Sequence, residues 1–167
     1  NYTPETVAPA LDALLEQVNL RAQVKPGMRI GIKANLVTGA APDKAVTTHP
    51  ALLCHLTRRL REWGAEVIIG DSPGGVYTKL YLDRVYAAAG LHACEEAGAE
   101  LNHDFSVKTA EFPAAAQAKT FEYTGWLDSC DLMINFCKLK SHGMMGMSAA
   151  VKNLFGTIPG TKKPEYH

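Results

Sequence analysis

The strongest constraint on the fold is an apolar strand that is followed by a helix and then by a second apolar strand. Residues 28–35 alternate small or apolar with polar side chains, and residues 66–71 form a short apolar run that ends in Asp71. Between them, apolar residues recur at helical spacing after Thr48-His49-Pro50, and Gly64 can end that helix. This order predicts a right-handed βαβ unit with parallel strands.

The remaining segments extend this pattern on both sides. The predicted elements are helices over 4–20, 79–89 and 91–97, and strands over 99–104, 121–123 and 132–136, while residues 105–121 show no clear pattern. The last strand is apolar almost throughout, which is typical of a strand covered on both faces. The sequence therefore predicts an α/β fold of three layers, with a mostly parallel sheet and helices on both faces.

Length and charge limit the domain organisation and the partners. With 47% hydrophobic residues, the 167 residues suffice for one sizeable core, so a single α/β domain over 1–167 is predicted. Seventeen Lys+Arg balance seventeen Asp+Glu, which gives no overall footprint for nucleic acid or acidic membranes. Apolar runs fall short of the roughly 20 residues of a membrane span. We expect neither partner, and any anion site must be local.

The two ends of the chain indicate an excised or truncated part of a longer protein. The chain begins at Asn1 rather than Met and ends at His167 without a polar tail. A cytoplasmic location is favoured, and an exported form stays open because a targeting segment can have been removed.

Four cysteines, at positions 54, 94, 130 and 137, lack the spacing of a metal or cluster motif. No Cys-x-x-Cys pair is present, which gives no support for a zinc ribbon, a ferredoxin cluster or a thioredoxin-type pair within the chain. Buried thiols in helices and strands usually act as small hydrophobic side chains. No cofactor is therefore predicted within these residues.

Polar clusters are predicted at the carboxyl ends of three strands. Ligands of open parallel sheets gather at this edge, where loops from several strands converge. Each residue alone is also consistent with a solvated loop, so the argument is their joint placement. The residues are Lys33 and Asn35 after the first strand, Asp71 and Ser72 after the second, and Lys138, Lys140 and His142 after the last apolar run.

The spacing of Lys138 and Lys140 strengthens this prediction. If residues 134–139 form a strand, the two side chains project from the same face, about 7 Å apart. Two ammonium groups at that distance repel by roughly 2–3 kcal/mol at an effective dielectric of about 20. The pair is then either splayed into solvent or neutralised by a bound anion.

Two glycine turns and a helix start supply further candidate ligands for an anion. Backbone N–H groups of Ser72-Pro-Gly74-Gly75 and of residues 143–146 can face an anion, although neither turn is a phosphate loop. Ser148 is predicted to cap a helix through Phe155, whose positive dipole end adds to the site. Lys152 and Asn153, one turn into that helix, can face the same anion or pair with surface acids. Phosphate or carboxylate is favoured over a nucleotide.

The candidate catalytic residues are His142 and Asp71. Histidine side chains exchange a proton near neutral pH, so His142 can act as a general acid or base, with Asp71 accepting or orienting its proton. Alternatively, His49, His142 and His167 can join Asp71 around a metal. No two of these histidines have the i, i+4 spacing of a helical ligand pair, and no metal site is predicted.

Four segments in this order carry a family resemblance: Ile32-Lys-Ala-Asn-Leu36, Gly70-Asp-Ser-Pro-Gly74, residues 135–142 and Val151-Lys-Asn-Leu-Phe-Gly156. From about Met28 to His167 the chain resembles the family called domain of unknown function 362. The resemblance implies an α/β domain, often beside a ferredoxin-like module with two four-iron-four-sulfur clusters, in proteins whose reaction is not established. Since that module's clustered cysteines are missing here, such clusters would belong to a neighbouring module.

Two function hypotheses follow, and whether the protein is an enzyme stays open between them. The first is an enzyme, or its substrate-binding half, that holds a small anion with Lys33, Lys138, Lys140 and Lys152. A ferredoxin-like neighbour would deliver electrons to such an oxidoreductase, and this redox step rests on the resemblance alone. The second is a non-catalytic binding or scaffold domain that docks a ferredoxin-like partner.

Overall fold

A central parallel sheet and two small hairpins organise the computed structural model, which describes residues 1–166. The helices and strands are α1 (Pro4–Gln17), α2 (Leu20–Gln23), β1 (Arg29–Lys33), α3 (Pro50–Glu62), β2 (Glu66–Gly70), α4 (Lys79–Ala88), α5 (His92–Glu96), β3 (Ala99–Leu101), β4 (Val107–Glu111), β5 (Thr120–Thr124), β6 (Leu132–Asn135), β7 (Lys140–His142), β8 (Gly146–Ser148) and α6 (Ala150–Asn153). Short 3-10 helices lie at Pro42–Lys44, Gly125–Ser129, Leu154–Thr157 and Gly160–Tyr166.

The sheet has four parallel strands in the order β3-β2-β1-β6. Lys33, at the end of β1, lies level with Gly70 of β2 and Asn135 of β6. The carboxyl ends of three neighbouring strands therefore form one edge. The predicted α/β class and the parallel βαβ unit are confirmed.

Successive side chains of a strand point to opposite faces of the sheet, and the apolar ones on one face of β1 and β2 pack against four of the α-helices. Ile30, Ile32, Val67 and Ile69 share one hydrophobic core with apolar residues of α1, α3, α4 and α5. Burying each such side chain contributes about 1.5–3 kcal/mol. On the other face, the indole of Trp126 packs against Gly70 of β2. A Cβ at Gly70 would lie only 2.6 Å from this ring, which belongs to the 3-10 helix at Gly125–Ser129.

The ends of α3 follow the sequence signals. Pro50 occupies the first turn, where its missing N–H group is not needed, and the His49 side chain accepts a hydrogen bond from the Ala51 N–H group at 3.1 Å. After the helix, Gly64 has a φ of +87°, a conformation that favours glycine. The start of α3 is thereby fixed beside the edge where the strands end.

Two predicted elements differ in the structure, and one segment without a prediction forms a strand. The strand proposed for 134–139 is wrong: β6 ends at Asn135, and Lys140 begins β7, which pairs with β8 as an antiparallel hairpin. A helix capped by Ser148 is also wrong, because the cap is Ala149 and α6 has only four residues before a 3-10 turn. In the segment without a clear pattern, β4 forms a hairpin with β5.

Candidate functional site

A buried ion pair forms the floor of the site at the ends of β1 and β2. Lys33 Nζ lies 2.6 Å from Asp71 Oδ1, and the two side chains are 1% and 4% exposed. The Leu36 N–H group donates to Asp71 Oδ2 at 2.7 Å, and Lys33 Nζ also donates to the Ala34 carbonyl at 2.7 Å. Because each charge already has a partner, this pair positions the surrounding loops rather than offering a free cation.

Gly156 covers this ion pair closely. A Cβ at this position would overlap Asp71 Oδ1 and would lie 2.5 Å from Lys33 Nζ. The Gly156 carbonyl also accepts a hydrogen bond from the Ser72 N–H group at 2.9 Å. Only a residue without a side chain fits here, which explains the glycine at the end of the Val151–Gly156 segment.

Three asparagines tie α6 to the ends of β1 and β6. Asn153 Nδ2 donates to Asn135 Oδ1 at 2.7 Å and to the Lys33 carbonyl at 3.2 Å, while Asn153 Oδ1 accepts from Asn35 Nδ2 at 3.0 Å. Asn135 Nδ2 in turn donates to the Ala150 carbonyl at 2.8 Å. These amides are mutually satisfied, so they hold Lys152 of α6 in place above the edge of the sheet.

A cavity of about 590 Å³ opens above this floor. We call it the lysine cavity, because Lys140, Lys152 and Lys163 line it. Among its lining residues the one carboxylate is Asp71, which is already paired with Lys33. Its volume falls within the roughly 300–1,000 Å³ of small-molecule sites.

The three lysines bind neutral groups rather than carboxylates. Lys140 Nζ donates to Asn35 Oδ1 at 2.6 Å and to the Val46 carbonyl at 2.7 Å. Lys163 Nζ donates to backbone carbonyls, which include those of Ser72 at 2.6 Å and Ile158 at 2.9 Å. Lys152 Nζ lies 4.0 Å from the centroid of the Phe155 ring. Within residues 1–166, none of the three has a carboxylate within 4.0 Å.

Burial acts on the protonation of all three amines. It lowers the pKa of Lys140 and of Lys152, because a partly dehydrated ammonium group is less stable than in water. The effect is largest at Lys163, whose pKa falls to about 8 through burial; the charge of Asp71 opposes this fall, and like-charge repulsion from Lys33 and Lys152 adds to it. The lysine cavity therefore gathers three partly dehydrated amines around one carboxylate, that of Asp71, which is directly paired with Lys33.

His142 lines the same cavity at the end of β7. Its Nδ1 accepts hydrogen bonds from the Met144 and Met145 N–H groups, both at 3.2 Å. The neutral ring therefore carries its proton on Nε2, which can donate to a ligand. Asp71 lines the cavity too, but its oxygens contact Lys33 and Leu36 rather than His142.

Other candidate ligands divide between the cavity and the remaining surface. Ser72, Gly74 and Ser148 line the cavity, whereas Gly75 and Lys138 do not. The N–H groups of Ser72 and Gly74 donate to the carbonyls of Gly156 and Val37, so the turn at 72–75 does not present these two donors to an anion. Ser148 contributes as the last residue of β8 and not as a helix cap.

Lys138 points to the start of α3 instead. Its Nζ lies 3.2 Å from the Tyr2 hydroxyl, and the Tyr2 ring stacks on His49 at a centroid distance of 3.8 Å. The expectation that Lys138 and Lys140 share one face is wrong, because the chain leaves β6 at Asn135 and the alternation of a continuous strand does not apply.

Sequence reasoning missed Asn135, Gly156 and Lys163. Asn135 and Gly156 lie inside two of the segments that carry the family resemblance, so a signal for them was present. Lys163 comes from the last 3-10 helix, and its Nζ reaches Ser72, which is 91 positions away along the chain. No local pattern marks it.

Residues 1–166 contain neither clustered metal ligands nor a membrane-spanning helix. No three His, Cys, Asp or Glu side chains come together there as a metal site. His167, one of the alternative metal ligands, lies outside the described residues. No described helix combines the length and apolar character that crossing a bilayer requires.

The family model of the domain of unknown function DUF362 matches residues 30–167, a range that contains the lysine cavity. The chain belongs to the DUF362 family. A thylakoid-associated protein, sll1697, of Synechocystis sp. (strain ATCC 27184 / PCC 6803 / Kazusa) is 29% identical over 174 residues. That match covers 100% of this chain and 51% of the relative, so the DUF362 chain spans about half the relative's length. No solved structure matches this chain.

Proposed function

We propose that this DUF362 domain binds a small anion, a phosphate or a carboxylate, in the lysine cavity. The observation that carries the proposal is the meeting of Lys140, Lys152 and Lys163 around one hollow without a carboxylate partner. Lysines at a surface usually find acids or water, whereas these three are partly dehydrated and their pKa values are lowered. A bound anion would supply the missing charge.

The attraction between an anion and a single lysine of the cavity is large enough to contribute to binding. An anion 4 Å from one ammonium group gains about 4 kcal/mol at an effective dielectric of about 20, before the cost of removing both from water. The same anion would raise the lowered pKa of Lys163 toward its ordinary value of 10.5. Binding near pH 8 is therefore expected to take up protons.

His142 supplies the proton chemistry if the domain is an enzyme. Its Nε2 would donate to a ligand oxygen in the lysine cavity, while Asp71 acts indirectly by fixing Lys33 and the loop at Leu36. His142→Gln is the discriminating variant, since the amide can still donate a hydrogen bond but does not titrate. An enzyme would keep its anion affinity and lose turnover, whereas a binding domain has no turnover to lose.

Electron transfer from iron–sulfur clusters is supported only by the family resemblance. The cysteines of this chain do not fit such a cluster: Cys54 and Cys94 lie together in the hydrophobic core, and no three His, Cys, Asp or Glu side chains meet among residues 1–166. A cluster in this system would have to belong to a neighbouring module.

The second candidate is a scaffold domain that docks a ferredoxin-like partner, and an exposed apolar surface beside the cavity favours it. We define the hairpin surface as Leu139, Met144, Met147 and Val151, which are 71%, 72%, 58% and 87% exposed. Clustered exposed apolar side chains often mark contact sites. Met144→Asp with Met147→Asp would abolish docking to a ferredoxin and leave anion binding unchanged, whereas docking that survives would exclude this surface.

A ligand panel tests the anion proposal. Inorganic phosphate, nucleotides and dicarboxylates are each added during thermal unfolding, and a true ligand at about one hundred times its Kd should stabilise the fold by roughly 2.7 kcal/mol. Lys140→Ala should reduce that shift. Lys25→Ala, at an exposed position that precedes the amino end of β1 and does not line the cavity, is the matched control and should not. A panel that leaves wild-type melting unchanged would contradict the proposal.

A further inference from the structure

Two cysteines meet in the core between α3 and α5. Cys54 Sγ lies 3.2 Å from Cys94 Sγ, although the residues are 40 positions apart in sequence. A disulfide needs about 2.05 Å between the sulfurs, so closing the bond requires a movement of about 1 Å. The fold already places the two thiols in contact.

The two thiols differ in a way that suits stepwise oxidation. Cys54 is 6% exposed, while Cys94 is 0% exposed. The hydrogen bond from the Cys94 thiol lowers the pKa of Cys54 to about 7, and the same contact together with burial raises the pKa of Cys94. Cys54 is therefore the more exposed residue of the pair and the one whose thiol loses its proton more readily.

We propose that Cys54 and Cys94 form a reversible disulfide that cross-links α3 to α5. The oxidant is a small peroxide. The Cys54 thiolate attacks one peroxide oxygen and breaks the O–O bond, which yields a sulfenic acid and, after protonation, one water. The Cys94 sulfur then attacks the Cys54 sulfur, forms the S–S bond and releases the second water. The two thiols lose two electrons, peroxide gains them, and a dithiol reverses the step by exchange.

The cross-link reaches the anion site through α3. Cys54 lies one turn after Pro50, and Cys94 Sγ is 4.0 Å from the Pro50 carbonyl. Just before this helix, Thr48 Oγ1 accepts from the Asn35 N–H group at 2.9 Å and donates to the Phe136 carbonyl at 3.0 Å. Oxidation would therefore restrain the helix whose start holds the β1 end of the site.

The test uses a variant with Cys130→Ser and Cys137→Ser, so that Cys54 and Cys94 are the remaining thiols. The protein is treated with hydrogen peroxide, denatured, alkylated and weighed by mass spectrometry. The expected product is lighter by two hydrogen atoms, takes up no alkylating agent, and regains both labels after dithiothreitol. Closing the 54–94 loop should also raise the melting temperature, by up to about 10 °C.

Two matched measurements keep the proposal open to refutation. With Cys94→Ser in the same background, Cys54 should stop at a sulfenic acid that dimedone traps. Peptide mapping of the peroxide-treated wild-type protein should yield the Cys54–Cys94 peptide pair, which covers the case in which the variants do not fold. Two fully alkylated thiols after peroxide, or cross-links between molecules only, would overturn the proposal.

Discussion

Neutralising Asp71 should destabilise the protein strongly, because Lys33 would then be a buried charge without a partner. Asp71→Asn keeps the shape of the side chain and an oxygen that can accept from the Leu36 N–H group, so it removes mainly the charge. In the wild type, Lys33 Nζ lies 2.6 Å from Asp71 Oδ1. Two opposite charges at this distance attract by about 6 kcal/mol at an effective dielectric of about 20.

The net cost is smaller than this attraction, since the ion pair also loses hydration on folding. Removing one partner of a buried pair typically costs about 3–5 kcal/mol. In a chain of this size, each kcal/mol changes the melting temperature by about 2–4 °C, so a fall of roughly 6–20 °C is expected. Urea unfolding followed by circular dichroism would give the same loss as a free energy of unfolding.

An exposed ion pair provides the matched control. Lys79 Nζ lies 2.7 Å from Asp83 Oδ2 on the surface of α4, and Lys79→Met should change the melting temperature far less than Asp71→Asn, because water screens an exposed pair. The double variant Lys33→Met with Asp71→Asn removes both buried charges and should regain most of the stability. If Asp71→Asn cost no more than Lys79→Met, the reasoning on the buried pair would be refuted.

Three further predictions concern the cover and the lysines of the cavity. Gly156→Ala should melt well below Gly143→Ala, because the added methyl overlaps Asp71 Oδ1 whereas nothing lies within 4 Å at Gly143; equal melting temperatures would contradict the close cover. Lys140→Ala should weaken phosphate binding by about tenfold or more, which corresponds to about 1.4 kcal/mol, and Lys138→Ala should not, as isothermal titration calorimetry would show. Without a bound anion, Lys163 should make the free energy of unfolding rise as the pH increases from about 8 to 10.5. Over this window Lys163 keeps its proton in the unfolded chain but has lost it in the folded chain. Lys163→Met should flatten that rise, as urea unfolding at several pH values would show.

Much of the sheet and part of the site could be predicted because their signals are local. Pro50 and Gly64 mark the ends of α3, and the polar residues Lys33 and Asp71 follow apolar strands that are parallel neighbours. Parallel strands place their carboxyl ends at one edge, so these residues had to meet. The structure brings them together as an ion pair, so the strand order alone predicted that these two side chains are neighbours.

The remaining features depend on contacts between distant segments. The strand β4 is mostly exposed, so it lacks the alternation of apolar side chains that marks a half-buried strand, and its pairing with β5 defines it. Lys163 enters the site from a 3-10 helix far along the chain, held by the Ser72 and Ile158 carbonyls. The chain leaves β6 after Asn135, so Lys138 and Lys140 do not lie on one strand, and the residue types at these positions do not predict that break.

Calorimetric titration with inorganic phosphate and small carboxylates tests the central claim most directly. At pH 8, in two buffers of different ionisation heat, we expect one anion per chain and a net uptake of protons, because Lys163 is only part-protonated before binding. Lys163→Met should lose the proton uptake and much of the affinity, while Lys25→Ala should keep both. Absence of binding by every anion tested, or equal binding by both variants, would contradict an anion site built on the lysine cavity.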